Sequence, residues 1–293
     1  MKAENVVDNY QQDMNMARNG DEYMPYDQRR LSYAGTFTNP WKAGVIRTIE
    51  WFTGKIRLIR LIRKYEKMGV RHGQDFWEDC LKVLNIDLQT PKEQIARIPQ
   101  TGPLVVVSNH PHGLLDGILL AALIGRVRTD YKVLTRSLLT GVEPIEEFMI
   151  PVAFPHEENS QRLNIEMRKK CMAHLKEDGV IVLFPAGAVA HSETFFGPAV
   201  ETEWNPFTAK MILKSGATVL PIRFPGQNSR AYQIANKISA TIRQGLLLHE
   251  VAIAVNTPQA PIIGEPIPAD EIAKWADNPR GLMAHLRETT INL

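Results

Sequence analysis

Leu104-Val-Val-Val-Ser108 leads through Asn109-His110-Pro111-His112-Gly113-Leu114-Leu115-Asp116-Gly117 into Ile118-Leu-Leu-Ala-Ala-Leu-Ile124. The first run is short, apolar and β-branched, the pattern of a strand buried on both faces, and Leu114 to Ile124 reads as an apolar helix. Between them, Pro and Gly mark a tight turn that carries two histidines and an aspartate. Side chains at the carboxyl end of a strand are held by the sheet, and the first N–H groups of the next helix are free to meet an anion. Asp116 can accept the Nδ1 proton of His110, which leaves Nε2 basic toward an alcohol. Spacing alone leaves the pairing open, since His110 to Asp116 is i, i+6 and His112 to Asp116 is i, i+4. It also admits Asp116 as an ordinary first-turn helix acid favoured by the dipole.

Outward from this unit, short apolar runs alternate with amphipathic stretches, which is the α/β pattern. Strands are predicted at 104–108, 131–135, 148–154, 180–184, 218–224 and 250–254. Helices are predicted at 74–83, 114–124, 162–177, 206–215 and 230–244. The expected fold is α/β: a single mixed, mostly parallel sheet flanked by helices, preceded by a basic amphipathic helical segment. The domains expected are a flexible N-terminal arm at 1–40, of little consequence for chemistry, a helical, basic, membrane-facing segment at 41–95 and the α/β domain at 96–293.

The basic segment is a local excess. From Trp41 to Arg71, nine Lys or Arg face only Glu50 and Glu66, whereas the whole 293-residue chain carries Lys+Arg 34 against Asp+Glu 32. Leu58, Leu61, Ile62 and Tyr65 follow one helical face, while Arg57, Arg60, Lys64 and Lys67 fall on the other. Thr53 and Gly54 are expected to break the segment into two short helices. The basic face reads either as a solvated surface over a packed apolar stripe, or as a site that docks anionic lipid with help from Trp41 or Trp51.

Bulk charge of +2 argues against a nucleic-acid partner, and Cys80 and Cys171 form neither a CxxC pair nor a Cys/His cluster, so no metal site is expected. The polar first twenty residues lack a signal-peptide core, and no apolar window approaches the ~20 residues that span a bilayer. The location expected is cytoplasmic, peripheral on the inner face of the cell membrane. Serine-hydrolase, phosphate-loop, dinucleotide and zinc-protease motifs are all missing.

The stretch Asn109 to Gly117 resembles the His-to-Asp motif of the lysophospholipid acyltransferases related to bacterial 1-acylglycerol-3-phosphate acyltransferases. The likeness is to the variant branch with five residues between His and Asp, which includes ornithine-lipid and other aminolipid O-acyltransferases. Further blocks match in order: Tyr131 to Leu139 with Arg136, Val182 to Val189 with Phe184-Pro185-Ala186-Gly187, Trp204 to Lys210, Val219 to Ile222, and Gly226 to Arg230. The resemblance spans roughly residues 45–255. It implies His110 as general base with Asp116 as partner, and substrate contacts at Asn109, Arg136, Phe184, Pro185, Gly187, Asn228 and Arg230. It implies a lyso-lipid acceptor and an acyl-thioester donor, acyl carrier protein or acyl-CoA, with no other cofactor. Backbone N–H groups near Gly113 or in the Phe184-Pro185 block are the expected oxyanion donors.

Two departures bear on the acceptor, one in the Phe184-Pro185 block and one at Phe148-Met-Ile-Pro-Val-Ala-Phe154, where the block corresponding to a second Arg-bearing motif of the family is altered. Phosphatidate-forming relatives carry Glu and Arg where this chain has Ala186 and Ala188 to His191, so the phosphate clamp is missing. A lyso-aminolipid such as lyso-ornithine lipid is therefore expected over lysophosphatidate, with His191, Glu193 or Glu201 receiving its amine. The reading of another class is a non-catalytic membrane-surface lipid-binding protein.

Overall fold

The computed structural model describes residues 26–27, 31–36, 39–135, 142–153 and 159–293. Among the described residues there are eight strands: β1 (Leu104–Ser108), β2 (Tyr131–Thr135), β3 (Met149–Pro151), β4 (Val180–Leu183), β5 (His191–Ser192), β6 (Ala199–Val200), β7 (Thr218–Arg223) and β8 (Ile262–Ile263). Six of them form one sheet in the order β3-β2-β4-β1-β7-β8, parallel except for β8, which runs antiparallel to β7. β5 and β6 make a separate antiparallel pair. The mixed, mostly parallel sheet flanked by helices is the expected α/β class.

β1 lies at the centre and is buried throughout, because parallel neighbours need helical crossovers that cover both faces. Leu104 and Val106 enter one core with the Leu114–Ile124 helix and Trp77. Val105 and Val107 enter the opposite core with Met167, Cys171 and Trp204. The helix after β1 is apolar all round because it is buried all round, with Leu119 to Ile124 inaccessible to solvent. Helices at Gln74–Leu84, Ser160–Lys176 and Pro206–Ser215 also fall where predicted.

Three local expectations change. The stretch 250–254 is not a strand but the end of a helix, Leu247–Ala254. Leu247, Leu248, Val251 and Ala252 are its buried face, a helical spacing that a five-residue window cannot reveal. The helix predicted over 230–244 divides into Arg230–Ile238 and Ala240–Gly245, because Ser239 turns extended and caps the second piece.

The third change is at Thr53 and Gly54. The chain stays helical there, and a π-helical segment, Trp51–Lys55, joins Pro40–Glu50 to Ile56–Lys67. A Cβ on Gly54 would lie 2.7 Å from the Leu248 carbonyl oxygen, so this glycine is where two helices touch backbone to backbone. The His249 ring meets the Thr53 carbonyl at 3.1 Å in the same crossing.

Leu58 and Tyr65 on the Ile56–Lys67 helix are buried and Leu61 and Ile62 half-buried, whereas Arg57, Arg60, Lys64 and Lys67 are exposed. Part of the expected N-terminal arm is ordered against the same helices. Leu31, Tyr33 and Ala34 are buried, and the Glu50 carboxylate accepts from Ser32 Oγ at 2.6 Å and from the Tyr33 N–H at 2.7 Å.

Candidate active site

Gly113 makes the turn after β1 possible: its φ of 76° is one that L side chains rarely adopt, and the helix begins immediately after it. The turn carries Asp116 into the protein with no exposed surface, and four donors converge on its carboxylate. His110 Nδ1 lies 2.9 Å from Oδ2 and His112 Nδ1 3.0 Å from Oδ1. The N–H groups of His112 and Gly113 donate to Oδ2 at 2.8 and 3.0 Å. Asp116 is thus both the helix's first-turn acid and the partner of a histidine, and it serves both histidines at once.

The electrostatics follow from this convergence. Burial alone would push the Asp116 carboxyl up, yet the charge of His112 and the hydrogen bonds from both histidines hold it below its ordinary value. Burial opposes charging of His112 too, but Asp116 and, more weakly, Glu250 raise it above its ordinary value. Each group favours its ionised form because its neighbours, chiefly the other, outweigh the cost of burial.

The two rings sit differently. His110 lines a cleft of about 290 Å³, and its ring is stacked on Phe184 with centroids 3.9 Å apart and planes 22° from parallel. His112 Nε2 instead faces the backbone of Gly226, 3.3 Å from where a Cβ there would lie, outside the cleft wall. His110 is further anchored through its backbone: its N–H donates to Glu201 Oε2 at 3.1 Å and its carbonyl accepts from the Ala190 N–H at 2.8 Å. Glu201 also takes the Trp204 indole N–H at 3.1 Å, and burial pushes its carboxyl up against those two donors.

Of the residues singled out in the sequence, His110, Phe184, Pro185 and Gly187 line the cleft together. Asn109, Asn228 and Arg230 do not. Asn109 ties the turn to the end of β7, donating to the Phe224 carbonyl at 2.9 Å and accepting its N–H at 2.7 Å. Asn228 is buried beneath the Gly226–Arg230 loop, and exposed Arg230 donates to the Gly197 carbonyl at 2.6 Å. Arg136 lies outside the described residues. His191, Glu193 and Glu201, expected around an acceptor amine, are absent from the cleft wall. The Gly113 N–H, expected to face an oxyanion, is taken by Asp116, and the Gly187 N–H by the Phe184 carbonyl.

Sequence reasoning missed Tyr33, Arg243 and Gln244, which close the cleft from the N-terminal arm and the Ala240–Gly245 helix. No local signal marks them, since they lie 77 or more positions from His110 in the chain.

An acyltransferase family model matches residues 53–249, more than half of the chain and including the whole His110-to-Asp116 turn. The chain belongs to the acyltransferase family. Two curated relatives, each named lyso-glycine lipid O-acyltransferase, are similar at 28% identity. The one from Phocaeicola vulgatus aligns over 166 residues, 56% of this chain and 56% of its own length. The one from Bacteroides thetaiotaomicron aligns over 178 residues, 60% of each. The matched part therefore spans less than two thirds of these relatives. The crystal structure of the 1-acyl-sn-glycerophosphate acyltransferase PlsC from Thermotoga maritima is similar with a TM-score of 0.48 at 14% identity, covering 86% of this chain and 89% of that one. The family resemblance carried by Asn109 to Gly117 and the blocks behind it is borne out, and in this acyltransferase-family chain the motif lies within the matched region.

Proposed function

We propose that this protein is an O-acyltransferase that moves an acyl chain from an acyl thioester to the hydroxyl of a lyso-aminolipid. The observation that carries the reading is the His110 ring, which lines the cleft, is held by Asp116 at Nδ1 and is stacked on Phe184. With the proton on Nδ1, Nε2 takes the acceptor's hydroxyl proton while the alkoxide oxygen attacks the thioester carbonyl. The new C–O bond forms, the C–S bond breaks, and the leaving thiolate recovers the proton from the imidazolium. Asp116 stabilises the imidazolium in between.

The carbonyl oxygen gains charge at the same moment. Ala188 and Val189 line the cleft, and their N–H groups have no hydrogen-bond partner among the described residues, which leaves them free for that oxygen. Leu134, Met149, Val152, Met167 and Phe207 give an apolar wall suited to an acyl chain. A covalent acyl-cysteine has no support: burial pushes both thiols up to about 12.

Docking on an anionic membrane face completes the reading. The stripe of Leu58, Leu61, Ile62 and Tyr65 packs inward and is lost to lipid, but Trp41, Trp51 and Phe52 are exposed on the same helical arm as Arg57, Arg60, Lys64 and Lys67. No described helix is long and apolar enough to cross a membrane. Aromatic side chains beside a basic face are the composition of interfacial attachment.

The test is an acyl-transfer assay on the purified chain, with acyl-CoA and acyl carrier protein thioesters as donors and a panel of lyso-aminolipids and lysophosphatidate as acceptors. Ester formation that depends on His110 is the expected result. Failure to acylate any hydroxyl lipid from either donor overturns the proposal, and faster acylation of lysophosphatidate than of every aminolipid overturns the acceptor class.

A further inference from the structure

The cleft wall contains one permanently charged side chain among the described residues, Arg243, and no carboxylate. Arg243 sits on the short helix Ala240–Gly245, whose start is capped by the Ser239 side chain and whose end is pressed against Ile49, so its backbone is fixed from both sides. One guanidinium nitrogen, Nη1, donates to the neutral Asn236 amide oxygen at 2.7 Å. No described Asp or Glu forms an ion pair with it. A half-buried guanidinium held by a neutral partner keeps its charge uncompensated and has donors left over for an anion.

Resting on the acyl-transfer reading above, we propose that Arg243 receives the acceptor's carboxylate. It would thereby select an amino-acid lipid that carries one negative charge and no positive one. When an amino acid is acylated on its α-nitrogen, the amine becomes a neutral amide and the carboxylate remains. A glycine head group then presents a single anion, which matches the one arginine among the described residues of the wall. An ornithine head group adds a side-chain ammonium, and the described wall residues offer it no acid. A phosphate monoester adds a second negative charge, and the described wall residues offer no second permanent cation. The sequence expectation of an amine-receiving acid near residues 191–201 thus gives way to a carboxylate-receiving arginine from a different helix.

The experiment compares kcat/KM for three hydroxyacyl acceptors of equal chain length: the glycine amide with free carboxylate, its methyl ester, and the ornithine amide. The wild-type protein should prefer the free acid over the ester by about tenfold to a hundredfold, the size of a lost charge-assisted contact. In Arg243→Gln that ratio should fall toward one, mainly through KM. Arg243→Lys should restore part of it, because the ammonium keeps the charge and loses the fork. Thermal melting confirms folding, and if Arg243→Gln does not melt cooperatively, Arg243→Lys and Asn236→Ala carry the same ratio test. Equal wild-type rates on acid and ester, an ornithine preference, or an unchanged ratio in the variants overturns the role of Arg243 while acyl transfer stands. Absence of transfer to all three and to lysophosphatidate overturns both.

Discussion

At Asp116 a buried carboxylate has every approach filled by a donor, two from imidazole rings and two from the backbone, whereas on the helical arm ahead of the fold Trp41 and Phe52 stand 84% and 82% exposed. The first arrangement is expensive to disturb because the carboxylate itself has no exposed surface. The second is unsatisfied in isolation: large apolar side chains and a row of cations face solvent, and both gain when something covers them. The proposed chemistry thus falls where polar groups are satisfied, and the proposed attachment where apolar and charged groups face solvent. That contrast predicts that variants at the turn change rate or stability, and that variants on the outer face of the arm change partitioning.

The sharpest break of the contrast is His110→Ala, which should lower kcat by about 10²–10⁴-fold while leaving the melting temperature near wild type, since the ring is partly exposed. Steady-state assays with melting curves check this, and loss of activity in His112→Ala with retention in His110→Ala reverses the two roles. Asp116→Asn should lose rate to a comparable degree and also stability. Its NH₂ group would face donors on both sides, so about 1–3 kcal/mol of unmatched buried polarity follows, read from denaturant midpoints. The four converging donors leave the amide no orientation that keeps the native geometry.

On the other region, reversing Arg57, Arg60, Lys64 and Lys67 to Glu should release the protein from anionic vesicles in sedimentation, at about 1 kcal/mol per charge, with added salt weakening wild-type binding. Unchanged sedimentation would make the arm a plain solvated surface. The inner side of the arm should behave like core. Gly54→Ala pushes a methyl group against the Leu248 carbonyl and should cost about 1–3 kcal/mol of folding stability without altering vesicle binding per folded molecule.

The smallest expected effect is a pH dependence at the turn. His112 is raised above its ordinary value of 6.5, so its contribution to stability is complete below that pH and is lost as pH rises through the raised value. Asp116 is lowered, so its contribution is already complete at these pH values and disappears only in acid, below its ordinary 3.8. Melting temperature measured from pH 6 to 9 should therefore fall more in wild type than in His112→Asn. Parallel curves would remove His112 from the charge network.

The apolar run at 104–107, the Gly113 turn and the helix at 114–124 were legible because their signals lie within a few residues of one another, where strand and helix periods are imposed by the local backbone. For the same reason the basic face and the inward stripe of residues 56–67 could be separated by spacing alone. The window 250–254 was not legible, because the five residues Glu250-Val-Ala-Ile-Ala254 satisfy either period until the packing of Val251 and Ala252 chooses one.

The choice between His110 and His112 was beyond spacing as well, since both reach Asp116. Only the third dimension puts one ring against Phe184 in the cleft and the other against Gly226. Tyr33 and Arg243 came to that cleft by way of the arm's packing on the Ala240–Gly245 helix. Local hydrophobic order thus determined the secondary elements and the chemistry-bearing turn. Contacts between segments far apart in the chain decided which histidine lines the cleft and which described charge stands in its wall, because closure of a cavity depends on the packing of its walls and leaves no periodic trace in any one of them.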